Sequence, residues 1–312
     1  MGAMRRVGIR ATAGFLFMVA TLGMLVVREV WWAQAQPTSS APLAAKLLAE
    51  RGSPADLEIG GNLEVMPHRA TWYLTREDLL GLRQASFTVS DDPNFLGPTR
   101  VSGVPLEDLV RDVGAPAGDM VVAICKDKYQ TNYSRDYLAQ HHPLLVLEIN
   151  GKPPSGWPRD SSRHEFDLGL GPYMITHPNF TPAFRVLAHN DEAQIPWGVV
   201  RLEFRNQEQV FGAIAPSGPL AKDRTVEAGY RIAQQNCFRC HNAGDEGGKK
   251  SGVTWAVLSA VAAGSPDFFA KYVSDPKSKS PQSQMPANPE YDHLTLDALT
   301  AYFRSFQQPG SP

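Results

Sequence analysis

The chain predicts two folded domains of different class behind a hydrophobic leader: a β-rich α+β domain over residues 56–214 and an all-α domain over residues 225–307. Three observations predict this. Short β-branched and aromatic runs, each bounded by Gly, Pro, Asn or Asp, recur through the middle of the chain. Beyond residue 224 the apolar residues switch to spacings of three and four. Near the start, Arg5, Arg6 and Arg10 precede an uncharged run from Ala11 to Val27. A length of 312 residues with 43% hydrophobic content suits about two packed cores. The formal net charge is -2, with bases interspersed among acids and no Lys/Arg stripe, so no nucleic-acid partner is expected.

The leader comes first. A positive segment, an apolar run and the small-residue site Ala33-Gln34-Ala35 describe a secretory signal, while the run length and the pair Trp31-Trp32 also suit a membrane anchor. Residues 1–35 are therefore expected to be a signal peptide or an anchor. Either one places the rest outside the cytoplasm, in the periplasm, soluble after cleavage or held at a bilayer. Residues 36–55, rich in Ala, Pro and Ser, are expected to be a tether.

In the middle domain the strand-forming runs are Ser86 to Ser90, Met120 to Cys125, Leu144 to Ile149, Tyr173 to Thr176 and Val199 to Phe204. Thr75, followed by Glu77 and Asp78, predicts a capped helix start. Pro105 suits a first helical position ahead of Leu106 to Val110. The histidines His68, His141, His142, His164, His177 and His189 are irregularly spaced. Only His141 and His142 adjoin, and on a strand they face opposite ways, so surface or hydrogen-bonded histidines are expected rather than ligands. Trp157, Trp197 and Tyr173 read as core. Residues 215–224, with Pro and Gly, read as a linker that leaves room for reorientation.

Chemistry concentrates at Cys237-Phe238-Arg239-Cys240-His241. In a helical turn residues three and four apart share a face, so both thiols and the imidazole can address one object. A haem fits best: two thioether bonds to the porphyrin and His241 as proximal iron ligand. A redox dithiol or half a zinc site is the alternative, but the one remaining cysteine, Cys125, completes no second pair. Thr225 is expected to cap a helix carrying Val226, Tyr230 and Ala233, and Thr295 a last helix with Leu299, Tyr302 and Phe303 inward. Met285 can close the second axial position of the iron, with His293 as competitor.

Residues 225–307 resemble class I cytochrome c on three points: the haem motif after a helix, the segment Phe268 to Pro276 with its Asp-Pro ending, and Met285-Pro286 before the last helix. The resemblance implies one covalent haem c on Cys237 and Cys240, His241 proximal and Met285 distal. That family orients the proximal imidazole with the carbonyl of a nearby proline. Here no proline follows His241 until Pro266, which leaves that partner unassigned.

The middle domain resembles the molybdopterin-binding domain of the sulfite oxidase family. The likeness rests on the order of Gly103-Val104-Pro105-Leu106-Glu107-Asp108-Leu109, Asp127 to Tyr129, Asn150-Gly151-Lys152-Pro153 and Gly171-Pro172-Tyr173. The family's metal-binding Cys lies before the first of these motifs, and residues 81–101 contain none. The resemblance thus implies a relative without molybdopterin, used for docking, and Cys125 reads as a small buried residue. The expected function is a monohaem electron-transfer subunit, a carrier rather than an enzyme. Its partners would be a redox donor and acceptor in a membrane-associated respiratory or photosynthetic complex. The competing readings are a molybdenum-dependent dehydrogenase with its own haem acceptor and a structural subunit of such an assembly.

Overall fold

A computed structural model describes residues 46–63, 71–90, 92–113, 119–157, 169–178, 185–186, 189–190 and 194–307. The expected leader, with Ala11 to Val27 and Ala35, lies outside the described residues, as do His68 and His164. No helix among the described residues is long and apolar enough to cross a membrane.

The first part of the chain builds a mixed sheet with helices. Its strands are β1 Leu57–Gly61, β2 Trp72–Leu74, β3 Ala85–Val89, β4 Thr99–Pro105, β5 Met120–Cys125, β6 Gln130–Ser134, β7 Leu144–Ile149, β8 Tyr173–Thr176 and β11 Trp197–Arg205. A separate two-stranded sheet pairs β9 Arg185–Val186 with β10 His189–Asn190. The large sheet runs β2-β1-β11-β8-β7-β4-β3, with β5 and β6 branching from β11. Among the described residues only β1 and β11 pair in parallel; the other ladders are antiparallel. A register shift between Val199 and Arg201 lets β11 serve β8 at its start and β5 along its length.

The expected runs at 120–125, 144–149 and 173–176 are strands with those bounds, and the outer two are offset at their ends. Thr75 caps α1 (Arg76–Leu80), its side chain accepting from the Asp78 N–H at 3.1 Å. Other boundaries differ from expectation. Pro105 ends β4 and is itself the cap of α2 (Leu106–Asp112), because its extended backbone still pairs with Leu144. His141 closes α3 (Arg135–His141) and His142 follows it in a left-handed cap, so this pair sits at a helix end and not on a strand.

After β11 the described chain is helical: α4 Gln207–Gly212, α5 Arg224–Ile232, α6 Trp255–Gly264, α7 Pro266–Ser274, α8 Pro276–Lys279 and α9 His293–Ser305. The cap of α5 is Asp223, whose carboxylate accepts from Thr225 and Val226 N–H. The cap of α9 is Asp292, accepting from Thr295 N–H at 2.8 Å. Each expected threonine lies inside its helix instead, because a carboxylate stands ready two residues earlier for Thr225 and three earlier for Thr295. Val226 and Ala233 are buried and Tyr230 half-buried, and Leu299, Tyr302 and Phe303 are fully buried, as their spacing predicts. At Gly229 a Cβ would lie 2.1 Å from the Ala298 carbonyl, so α5 and α9 cross with backbones in contact.

The two parts share a core. Along β5, Val121, Ala123 and Cys125 face the core under the sheet, whereas Met120, Val122 and Ile124 face Val210, Ile214, Phe238 and the helices. Residues 215–224 hold a 3₁₀ turn, Gly218–Lys222, whose Leu220 packs on that second core. Around this expected linker the described residues of both parts contribute to one apolar cluster, Met120 and Val122 from β5 and Val226 and Phe238 from the helical part.

Candidate functional site

Helix α5 ends in a π turn, Ala233–Cys237, closed by Phe238 N–H donating to the Ala233 carbonyl at 2.9 Å. The extra residue in this turn keeps both Ala233 and Phe238 fully buried. The motif then continues as a helical turn. Cys240 N–H and His241 N–H both donate to the Cys237 carbonyl, at 3.2 and 3.0 Å, which puts the second cysteine and the histidine on the same side of the turn as the first cysteine. Cys237 and Cys240 are half-buried thiols, and His241 is buried.

The imidazole has one nitrogen committed. Its Nδ1–H donates to the Val253 carbonyl at 2.7 Å, which fixes the tautomer and leaves Nε2 with its lone pair. Burial lowers the His241 pKa below the ordinary 6.5, outweighing the opposing effect of the Val253 bond, so the neutral ligand form is favoured. Val253 thus supplies the acceptor for which the sequence offered no proline.

The motif's carbonyls are taken in turn. Gly248 N–H donates to Phe238 O and Ser251 N–H to Cys240 O, each at 2.9 Å. Arg239 O accepts from Gln130 N–H of β6, also at 2.9 Å. The β5–β6 turn makes further contacts: Lys249 N–H to Lys128 O at 3.0 Å, Arg239 Nη1 to the Tyr129 hydroxyl at 3.2 Å, and Lys250 Nζ to Asp127 at 2.8 Å. Arg205 of β11 pairs with Glu246. Arg239 of the motif, with Glu246, Lys249 and Lys250 beyond it, therefore carries the polar junction between the sheet and the helices.

These residues fit a covalent haem. Two thiols and one tautomer-fixed imidazole share a turn. Met285 is half-buried against the apolar cluster that also receives Cys237 and Tyr291. Asn236, which precedes the first thiol and donates to the Tyr291 hydroxyl, has a buried Oδ1 without a hydrogen-bond partner. His293 is the first residue of α9 and is exposed.

The other expectations fall elsewhere. Cys125 is buried under the sheet, and burial followed by Asp127 pushes its thiol pKa well up. Trp157 and Tyr173 are buried, Trp197 half-buried. His141 and His177, distant in sequence, come together with ring centroids 5.0 Å apart, and Tyr137 hydroxyl meets His177 Nε2 at 3.1 Å. Sequence spacing gave no sign of this pair. Among the described residues no group of three or more His, Cys, Asp or Glu is arranged to hold a metal ion.

No family model matches the chain, and no curated protein does. Among solved structures it is similar to the sulfane dehydrogenase SoxCD from Paracoccus pantotrophus, at 17% identity and a TM-score of 0.34. The match covers 62% of this chain, and the chain spans 57% of that protein's length. A likeness this slight carries neither fold nor function across.

Proposed function

We propose that the protein is an extracytoplasmic, monohaem c-type electron-transfer subunit, with haem held by Cys237, Cys240, His241 and Met285. The observation that carries this reading is the turn from Cys237 to His241 with the imidazole tied through Nδ1 to Val253. A redox dithiol needs no adjacent imidazole, and a zinc site needs more ligands than this turn supplies. The haem would supply one-electron chemistry; the chain's part is to bind it, fix the imidazole and exclude water around the iron. The sheet supports the attachment loop from outside through Gln130, Lys128 and Asp127, so the donor and acceptor would meet a haem part braced by the sheet.

The competing molybdenum-dependent dehydrogenase would need Cys125 as a thiolate. Its burial and the neighbouring Asp127 oppose that charge. The test is metal and haem analysis of protein made in cells competent in haem attachment. One covalent haem with iron and no molybdenum is expected, together with haem reduction by a small one-electron donor. A colourless band on a denaturing haem-stained gel sinks the reading, and stoichiometric molybdenum restores the enzyme.

A further inference from the structure

The loop carrying Met285 is tied back to α7 at two points. At the first, the Tyr272 hydroxyl donates to Ser283 Oγ at 3.0 Å, and the same oxygen accepts from the Met285 N–H at 3.3 Å. One oxygen thus joins α7 to the backbone of the methionine. At the second, Asn288 Nδ2 donates to the Val273 carbonyl and Asn288 N–H to the Ser274 carbonyl, each at 2.9 Å. Those carbonyls are open because α7 stops there: the last carbonyls of a helix lack intrahelical donors, and Pro276 brings none. Asn288 O in turn accepts from Tyr291 N–H at 3.1 Å, and the Tyr291 hydroxyl is bound by Asn236 beside Cys237. A hydrogen-bonded route therefore runs from the end of α7 through Asn288 to the residue before the first thiol.

We propose that Ser283 and Asn288 are positioning residues that hold Met285, rather than His293, as the distal iron ligand; this rests on the haem reading above. A thioether is the softer and weaker of the two ligands, so its place depends on a loop held in register. His293 stands exposed on α9 and is available if that loop is released.

The test uses the whole haem-loaded chain. Ser283→Ala removes the shared oxygen, and Asn288→Asp replaces a donor by an acceptor facing the Val273 carbonyl without changing volume. In the double variant the weak red-end absorption of the ferric thioether complex should disappear and the reduction potential should fall. With His293→Ala added to the double variant, free imidazole should bind at least about tenfold more tightly, the scale seen when supporting contacts of metal ligands are lost. Ser283→Thr, which keeps the oxygen, should restore the Ser283→Ala loss, and single variants serve where the double one does not fold. An unchanged band and potential in variants with wild-type circular dichroism overturn the proposal. A wild-type chain with covalent haem but no thioether band removes Met285 itself, and one without haem removes the reading beneath both.

Discussion

The Val253 carbonyl accepts the Nδ1 proton of His241 at 2.7 Å, from twelve residues further along the chain. This bond selects Nε2 as the only ring nitrogen with a lone pair to offer. The first prediction follows. His241→Gly should keep both thioether links and the covalent haem mass, but lose the spectrum of a six-coordinate iron, and free imidazole should restore it. Changing both Cys237 and Cys240 to Ala should remove the haem from the denatured chain. Mass spectrometry and absorption spectra decide. A variant without either thiol that still stains for haem contradicts the assignment.

Gly248 gives the second prediction. Its Cβ, were there one, would lie 1.7 Å from the Arg239 carbonyl and 2.9 Å from Cys240 N. All three nearest atoms are backbone of the motif, so nothing flexible can yield. Gly248→Ala should cost about 1–3 kcal/mol or more and lower the yield of covalent haem, read as haem per chain. Gly244→Ala, where a Cβ meets open space but the φ of +59° disfavours a side chain, serves as a control that strains the backbone without touching the motif.

How far the sequence was readable depends on where the signal resided. Cys237, Cys240 and His241 stand out in the sequence because reactive side chains recur there at a tight spacing, and Met285 because a thioether is an uncommon donor. Val253 was invisible because it acts through a carbonyl, which every residue has. The strands Met120–Cys125 and Leu144–Ile149 were legible as apolar runs buried on both faces. The strand Gln130–Ser134 is not, because its Gln, Thr, Asn and Ser look like a loop until β5 pairs with it and Arg239 O takes the Gln130 N–H. At the starts of α5 and α9 nearby threonines compete with Asp223 and Asp292 as caps, a choice that local propensity leaves open and the folded chain settles for the carboxylates. The linker between the two parts reads as Pro and Gly. Besides the polar contacts of Arg239, Glu246, Lys249 and Lys250, Met120 and Val122 join them, and no local pattern distinguishes these two from any other strand residues.

That shared core makes the third prediction. Val122 is 2% exposed and faces the helical side of the sheet. Val122→Asp buries a carboxylate with no cation provided for it, which should cost several kcal/mol. Because β5 belongs to both parts, the loss should appear in both. Wild-type haem absorption and far-ultraviolet circular dichroism should melt at the same temperature, and in the variant both should shift down together. Separate transitions, with haem melting unaffected, would mean that the two parts fold independently.

The fourth prediction concerns pH. His141 is 7% exposed, its ring 4.3 Å from Tyr137 and 5.0 Å from His177 by centroids. Burial, and then the charge of neighbouring His142, lower its pKa below the ordinary 6.5. The unfolded chain therefore takes up this proton at a higher pH than the folded one does. Stability from the neutral imidazole is fully present above about pH 6.5 and is lost as pH falls through that value toward the folded pKa. The melting temperature of the haem-loaded protein should thus decline between about pH 7 and about pH 5, the range in which histidines titrate and most carboxylates do not. His241 does not confuse the measurement in that form, since its Nε2 would be held by iron. His141→Gln keeps a polar side chain of similar size without a titrating group, and should flatten the decline while leaving the haem spectrum unchanged. A variant that loses stability over the same interval with the same slope as wild type would assign the effect to another group.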